Sequence, residues 1–159
     1  MNLSMGSNSP RLGGPGELVK ARIALNAADW HGFASEGIWV LRGGNQGVLR
    51  SVPFYARGLA WGDEVRLLQE DALLSVGDVV SRSGHSCYRV FREKGCSVKS
   101  FRNVLQPLLD LGVTYEGISE HHLALDVPPG LVHKAYRLLE LGERAAAWDF
   151  EEGFAFLEG

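Results

Sequence analysis

The chain has 159 residues, of which 45% are hydrophobic and 22% charged. That balance permits a buried core and excludes the low-hydrophobicity, high-charge mixture of disordered proteins. A formal net charge of −3 and a sequence pI near 5.9 supply no general attraction to phosphate backbones or anionic lipid, which argues against nucleic acid and membranes as partners.

No charged-then-apolar leader opens the sequence, and no apolar run approaches the roughly 20 residues needed to cross a bilayer, so a cytoplasmic protein with reduced thiols is expected. Whether Cys87 and Cys96 face each other across a hairpin or lie far apart is left open by their spacing. The histidines, His31, His85, His121, His122 and His133, do not fall into a zinc-type ligand spacing, and neither a Gly-x-Gly-x-x-Gly nor a Walker-type loop occurs. Neither metal nor cofactor is therefore expected.

Residues 1–17 are rich in Gly, Ser, Asn and Pro and lack apolar periodicity, which predicts a disordered tail. From Leu18, LVKARIAL alternates as a half-buried strand does. EGIWVLRG and GVLRSVPF, separated by a glycine-rich loop, read as a hairpin that Pro53 ends. GDEVRLLQED and ALLSVGDVVSRS add two strands, with Gly62-Asp63 and Gly77-Asp78 as turn signals. Five short strands at this spacing predict a small curled antiparallel sheet or a partly open barrel over residues 18–84.

The rhythm then changes. SCYRVFRE reads as a strand, and SVKSFRNVLQPLLDLG places Phe101, Val104, Leu105, Leu108 and Leu109 on one helical face, capped by Ser97 or Ser100 and ended by Gly112. TYEGIS and HLALDV form a hairpin, LVHKAYRLLELG a second amphipathic helix ending at Gly142, and AAAWDFEEGFAF a last strand. The order strand, helix, strand, strand, helix, strand predicts a ferredoxin-like (split βαβ) half over residues 85–159. The whole is expected to be one α+β unit, its halves sharing one core and a long strand pair from Val76 to Glu93.

The segments VPFYARGLAWGD at Val52–Asp63, RSGHSCYRV at Arg82–Val90 and LDVPP at Leu125–Pro129 resemble signature segments of a bacterial family, the domain of unknown function numbered four-two-six-five. The resemblance covers roughly Val19 to Gly153. It implies a small bacterial protein and carries no activity, substrate or cofactor with it.

The densest polar stretch is Arg82 to Arg89, read as a strand-to-strand turn. Arg82 and Arg89 could clamp a carboxylate or phosphate, Ser83 and Ser86 donate hydroxyl hydrogen bonds, and His85 carries a proton near neutral pH. Its bland alternative is a solvated hairpin tip; on either reading, replacing Arg82 or His85 is expected to spare stability. A second constellation places Arg57 and Asp63 as polar anchors around Tyr55 and Trp61 in a ligand groove, or else the aromatic residues simply close one end of the barrel. Glu116, Glu120, His121 and His122 are expected to form a solvated edge. A triad of Ser86 or Cys87 with His85 and an acid such as Asp126 or Glu116 is disfavoured, because adjacent strand residues point to opposite faces.

Two function classes follow. The favoured one is a non-catalytic binding or interaction module of a bacterial gene cluster, such as a toxin neutraliser or a biosynthetic accessory protein, that takes a protein or a small anionic ligand. The alternative is a small enzyme acting on an anionic or acyl substrate through the Arg82 to Arg89 segment.

Overall fold

The structure, a computed structural model, describes residues 16–157. Most of the tail expected to be disordered lies outside the described residues, whereas Glu17 already opens the first strand. Strands β1 (Glu17–Ala24), β2 (Ser35–Gly43), β3 (Gln46–Leu49), β4 (Glu64–Glu70) and β5 (Leu73–Ser81) pair in chain order as an antiparallel meander. A parallel contact between β1 and β5 at Arg22 and Ser75 closes the meander into a barrel, so the expected opening is absent. Alternation decides what fills it: Ala21, Ile23, Ile38, Val40, Val65 and Leu67 point inward and are buried. Each large aliphatic side chain so buried contributes roughly 1.5–3 kcal/mol.

Gly77-Asp78 is not a turn. Val65 faces Val79 while Leu67 faces Val76, so β5 carries one residue more than β4 there, and the Gly-Asp pair sits in a bulge inside β5.

The second sheet contains β6 (Ser86–Arg92), β7 (Thr114–Ser119), β8 (His122–Val127) and β9 (Trp148–Phe154), in the order β7-β8-β6-β9 with every pair antiparallel. Helices α1 (Val98–Leu111) and α2 (Val132–Arg144) cover one face. Phe101, Leu105 and Leu108 from α1 meet Tyr88, Val90, Leu123, Leu125 and Trp148 of the sheet and Ala135 and Leu139 of α2. Ser97 caps α1 by accepting from the Ser100 N–H, and Gly112 adopts a left-handed conformation after its end. Helix α2 runs through Gly142, contrary to the expected stop. A β-carbon at Gly142 would strike the indole of Trp148, whose Nε1 donates to the Leu139 carbonyl, so this glycine serves close packing rather than termination.

Among the described residues no strand pair joins the halves, so the expected pairing from Val76 to Glu93 does not form. β5 lies in the barrel and β6 in the sheet, and residues 82–85 cross between them. The interior divides into a barrel cluster, a helix–sheet cluster and a small junction of Val52, Ala60, Cys87 and Ala124, packed with Phe54, Trp61 and Phe154.

The junction's key element is the irregular stretch 50–63. Ala56 and Leu59 plug the barrel, while Val52 and Ala60 meet the helix-free face of the sheet. Without a ladder, its buried N–H groups must find other acceptors. Carboxylates supply them: Glu36 accepts from Phe54, Tyr55 and Ala56 at 2.7–2.9 Å, Glu116 from Val52 at 3.0 Å, and Asp63 from Ala60 at 3.0 Å.

Candidate functional site

The helix-free face of the sheet carries the polar side chains, because strand alternation sends Cys87, Arg89 and Phe91 of β6 there along with His122, Ala124 and Asp126 of β8 and Asp149 and Glu151 of β9. The 50–63 stretch lies across it and separates two groups of residues.

The first group brings Ser83 and His85 of one expected constellation together with Trp61 of the other. His85 Nδ1 lies 2.7 Å from Asp126 Oδ1, and its ring lies 5.0 Å from that of Trp61, over which the Arg50 guanidinium sits at 5.1 Å. The Ser83 hydroxyl donates to the Trp61 carbonyl and accepts from the His85 N–H, fixing the crossover against the 50–63 stretch. Gly84, with φ +92° and Pro129 against it, lets the chain make this bend. Glu116 is near enough to Asp126 to feel it: burial first, and that neighbouring charge after it, push the Glu116 carboxyl above its ordinary pKa, against the Val52 N–H.

The arginines do not converge. Arg82 donates to the Gly58 carbonyl and to Asp63, and stacks over Phe154 at 3.9 Å. Arg89 is wholly buried; it donates to the carbonyls of Ala56 and Tyr55 and pairs with Glu151 at 2.9 Å. Both guanidiniums therefore hold the 50–63 stretch in place, and an anion clamp formed by the two would require breaking those bonds. Ser86, buried, accepts from the Phe156 N–H, and Cys87 is buried with its thiol pushed up to about 12 by desolvation. Neither faces His85, so the nucleophilic triad finds no geometry here.

The second group contains Arg57, but not Asp63. Arg57 reaches Asp29 at 3.4 Å and Glu151 at 3.9 Å, whereas Asp63 is buried and pairs with Arg82 at 2.9 Å. Around Arg57 the barrel loop 25–34 lays Trp30, His31 and Phe33 against Tyr55 and the sheet. Trp30 meets Phe91 edge-on at 5.2 Å, His31 stacks with Phe33, and Tyr55 contacts both. Beneath them His122, expected on a solvated edge, turns inward. It is 8% exposed and contacts Phe54, Tyr55 and Phe91, and among the described residues its Nε2 has no hydrogen-bond partner. Burial and the Arg89 charge lower its pKa. On top, Trp30 is 56% and Phe33 50% exposed.

Sequence reading missed Trp30, Phe33 and Phe91. The one available signal was two large aromatic residues in an otherwise small and polar loop, NAADWHGFA. Among the described residues no group of three or more His, Cys, Asp or Glu is placed to hold a metal ion, and no helix is long and apolar enough to cross a membrane. A groove of about 220 Å³ between α1 and β7, lined by Phe101, Leu105 and Tyr115 among others, involves no residue of either group.

The fold has a solved counterpart. A hypothetical protein from Neisseria gonorrhoeae matches with a TM-score of 0.74 over 89% of this chain and 98% of that one, at 16% identity, a likeness of fold alone. No curated protein matches the chain. A family model, however, matches residues 36–150, through both the 50–63 stretch and the sheet that carries its partners, and the chain belongs to that family, the domain of unknown function DUF4265.

Proposed function

We propose that this protein is a non-catalytic binding module whose partner, another protein, docks on the aromatic surface of loop 25–34. One observation carries the reading: Trp30 and Phe33 keep about half their surface in water while their other faces are fixed by Tyr55, Phe91, His31 and His122. Exposed aromatic groups on a packed bed lose little entropy on docking, and Trp, Tyr and Arg are the residues that most often dominate protein interfaces. Arg57, its side chain 51% exposed, stands at the rim. Within a bacterial gene cluster such a module suits a toxin neutraliser or an accessory protein, and two free cysteines, one of them buried, accord with a cytoplasmic setting. The four-stranded half is best read as ferredoxin-like, a reading supported by its strand order and by both helices sharing one face.

A photo-crosslinking amino acid placed at Phe33, in cells that naturally make the protein, is expected to give one discrete protein adduct that Trp30→Ala abolishes. The same group at Tyr136, on the helical side, is the control. Identical adducts from both positions, or none from Phe33, would overturn the reading.

A second reading rests on the His85–Asp126 pair. An imidazole oriented through Nδ1 by a carboxylate is equipped to move a proton through Nε2, and Trp61 beside it offers a flat apolar wall. This is the small-enzyme alternative, with His85 rather than the arginines at its centre.

A further inference from the structure

We infer that the occupant of the aromatic surface is a basic segment of the partner, with an arginine stacked on the Trp30 indole and held by the carboxylates that flank it. This deepens the docking reading above and rests on it. Three carboxylates border the patch: Asp29 beside Trp30, Asp149 directly across the β6–β9 pair from Phe91, and Glu151 on the same strand face. Glu36 faces inward, its oxygens taken by backbone N–H groups of the 50–63 stretch.

Fewer cations face the patch. Arg57 divides itself between Asp29 and Glu151, and Arg89 is buried beneath with its charge turned to Glu151. Arg92 points to the far end of the strand, donating to the carbonyls of Glu120 and Cys96. Asp149 is exposed, and among the described residues it forms no ion pair. The Trp30 N–H, first among the causes, holds the Asp29 carboxyl below its ordinary pKa, so it stays charged well into acid. The rim is therefore net acidic.

The tryptophans point the same way. Lys20 stands over Trp39 and Arg50 over Trp61, and Trp148 is buried in the helix–sheet core. Among the described residues no cation of this chain stands over Trp30, the most exposed of the four tryptophans. Indole is the strongest aromatic acceptor of a cation, and a guanidinium adds planar stacking with hydrogen bonds to carboxylates at its edge. An arginine docked there would satisfy both the uncovered ring and the unpaired Asp149.

The probe is the peptide acetyl-Gly-Arg-Gly-Arg-Gly-amide, titrated into the full chain with the indole N–H signals followed by NMR. A version with glutamate in place of arginine is the control, and Trp30→Phe assigns the signal. The expected result is a saturable shift of the Trp30 signal with the arginine peptide alone. Asp149→Asn combined with Asp29→Asn should weaken it by about fivefold or more, and raising NaCl from about 0.05 M to about 0.3 M should weaken it too. Equal shifts with the glutamate peptide, no saturable shift, or indifference to both aspartate substitutions would overturn the inference. A Phe33 adduct in cells without any response to the arginine peptide would leave the docking surface standing and remove the basic partner. A specific arginine response without a cellular adduct would support the cation site and remove the protein-docking reading.

Discussion

Arg89 and Glu151 meet across β6 and β9, Nη2 to Oε2 at 2.9 Å, with the guanidinium wholly buried and Gly153 leaving the space it occupies. The pair does more than neutralise charge, because the same guanidinium donates to the carbonyls of Ala56 and Tyr55 and so fastens the barrel plug to the sheet. Glu151→Ala would leave a buried cation without its counter-ion and is expected to cost about 3 kcal/mol. Gly153→Ala should cost about 2–3 kcal/mol, since a β-carbon there runs into Arg89 Nη1 and Cys87 Sγ. Urea denaturation of the two variants checks both, and a loss below about 0.5 kcal/mol in either would show the pair to be a surface-like bridge.

His122 ties stability to pH. Its pKa is lowered from an ordinary 6.5, first by burial and then by Arg89, so the folded chain holds fewer protons on it than the unfolded chain does. The sign follows: stability is unaffected well above pH 6.5 and falls as the pH drops below the unfolded value, until the imidazole is charged in both states. Glu116 acts oppositely. Its raised pKa means that the folded chain keeps a proton longer, so stability is lost as the pH rises from near its ordinary 4.5 through the folded value. Comparing the wild type with His122→Phe between about pH 5 and 7 isolates the first effect, since Phe cannot titrate and fits an aromatic bed. The substitution should flatten the slope; an unchanged slope would mean that another group carries it.

Much of this architecture was legible because alternation and helical periodicity are local. The barrel strands, both helices and the β7–β8 hairpin lie where the apolar spacing places them, except that β3 stops at Leu49 rather than at Pro53, because the chain from residue 50 leaves the ladder to plug the barrel. What could not be read was the crossing at residues 82–85. A polar stretch between two strand patterns looks the same whether the strands pair with each other or belong to separate sheets, and hairpin pairing is the commoner outcome. The candidate site suffered for the same reason. Arg82 and Arg89 look like an anion clamp in sequence, but their partners, Asp63 and Glu151, are respectively 19 and 62 positions away. His85 reads in sequence as a turn imidazole able to carry a proton, whereas in the structure its Nδ1 meets Asp126, one of two acids weighed for the disfavoured triad.

The two thiols should behave differently. Cys96 is partly exposed, whereas Cys87 is fully buried with its pKa pushed up to about 12 by desolvation, which the nearby Arg89 only partly offsets. Thiolate is the reactive form, so iodoacetamide at neutral pH should label Cys96 alone, and both thiols only in denaturant. Intact-mass spectrometry reads the count. Rapid double labelling of the native protein would mean that the junction opens easily.

His85 has a part-buried partner, and this changes what its removal does. Its Nδ1 stands 2.7 Å from Asp126, a residue only 8% exposed, and its ring packs on Trp61. A solvated hairpin-tip histidine could be deleted at almost no cost, but here His85→Ala leaves the carboxylate of Asp126 enclosed and without its hydrogen-bond partner. The expected loss is about 1–3 kcal/mol. Asp126→Ala should cost a similar amount, and the double variant clearly less than the sum, because removing the second partner also removes the stranded group. That coupling, measured by a denaturation cycle, establishes the pair as a unit whatever it serves. The same three proteins then separate the two functional readings. If the aromatic surface is the working one, the Phe33 adduct persists in each variant that still folds. If the adduct persists while the biological activity disappears with His85 alone, the oriented imidazole is moving a proton, and the small-enzyme reading takes precedence over the binding module.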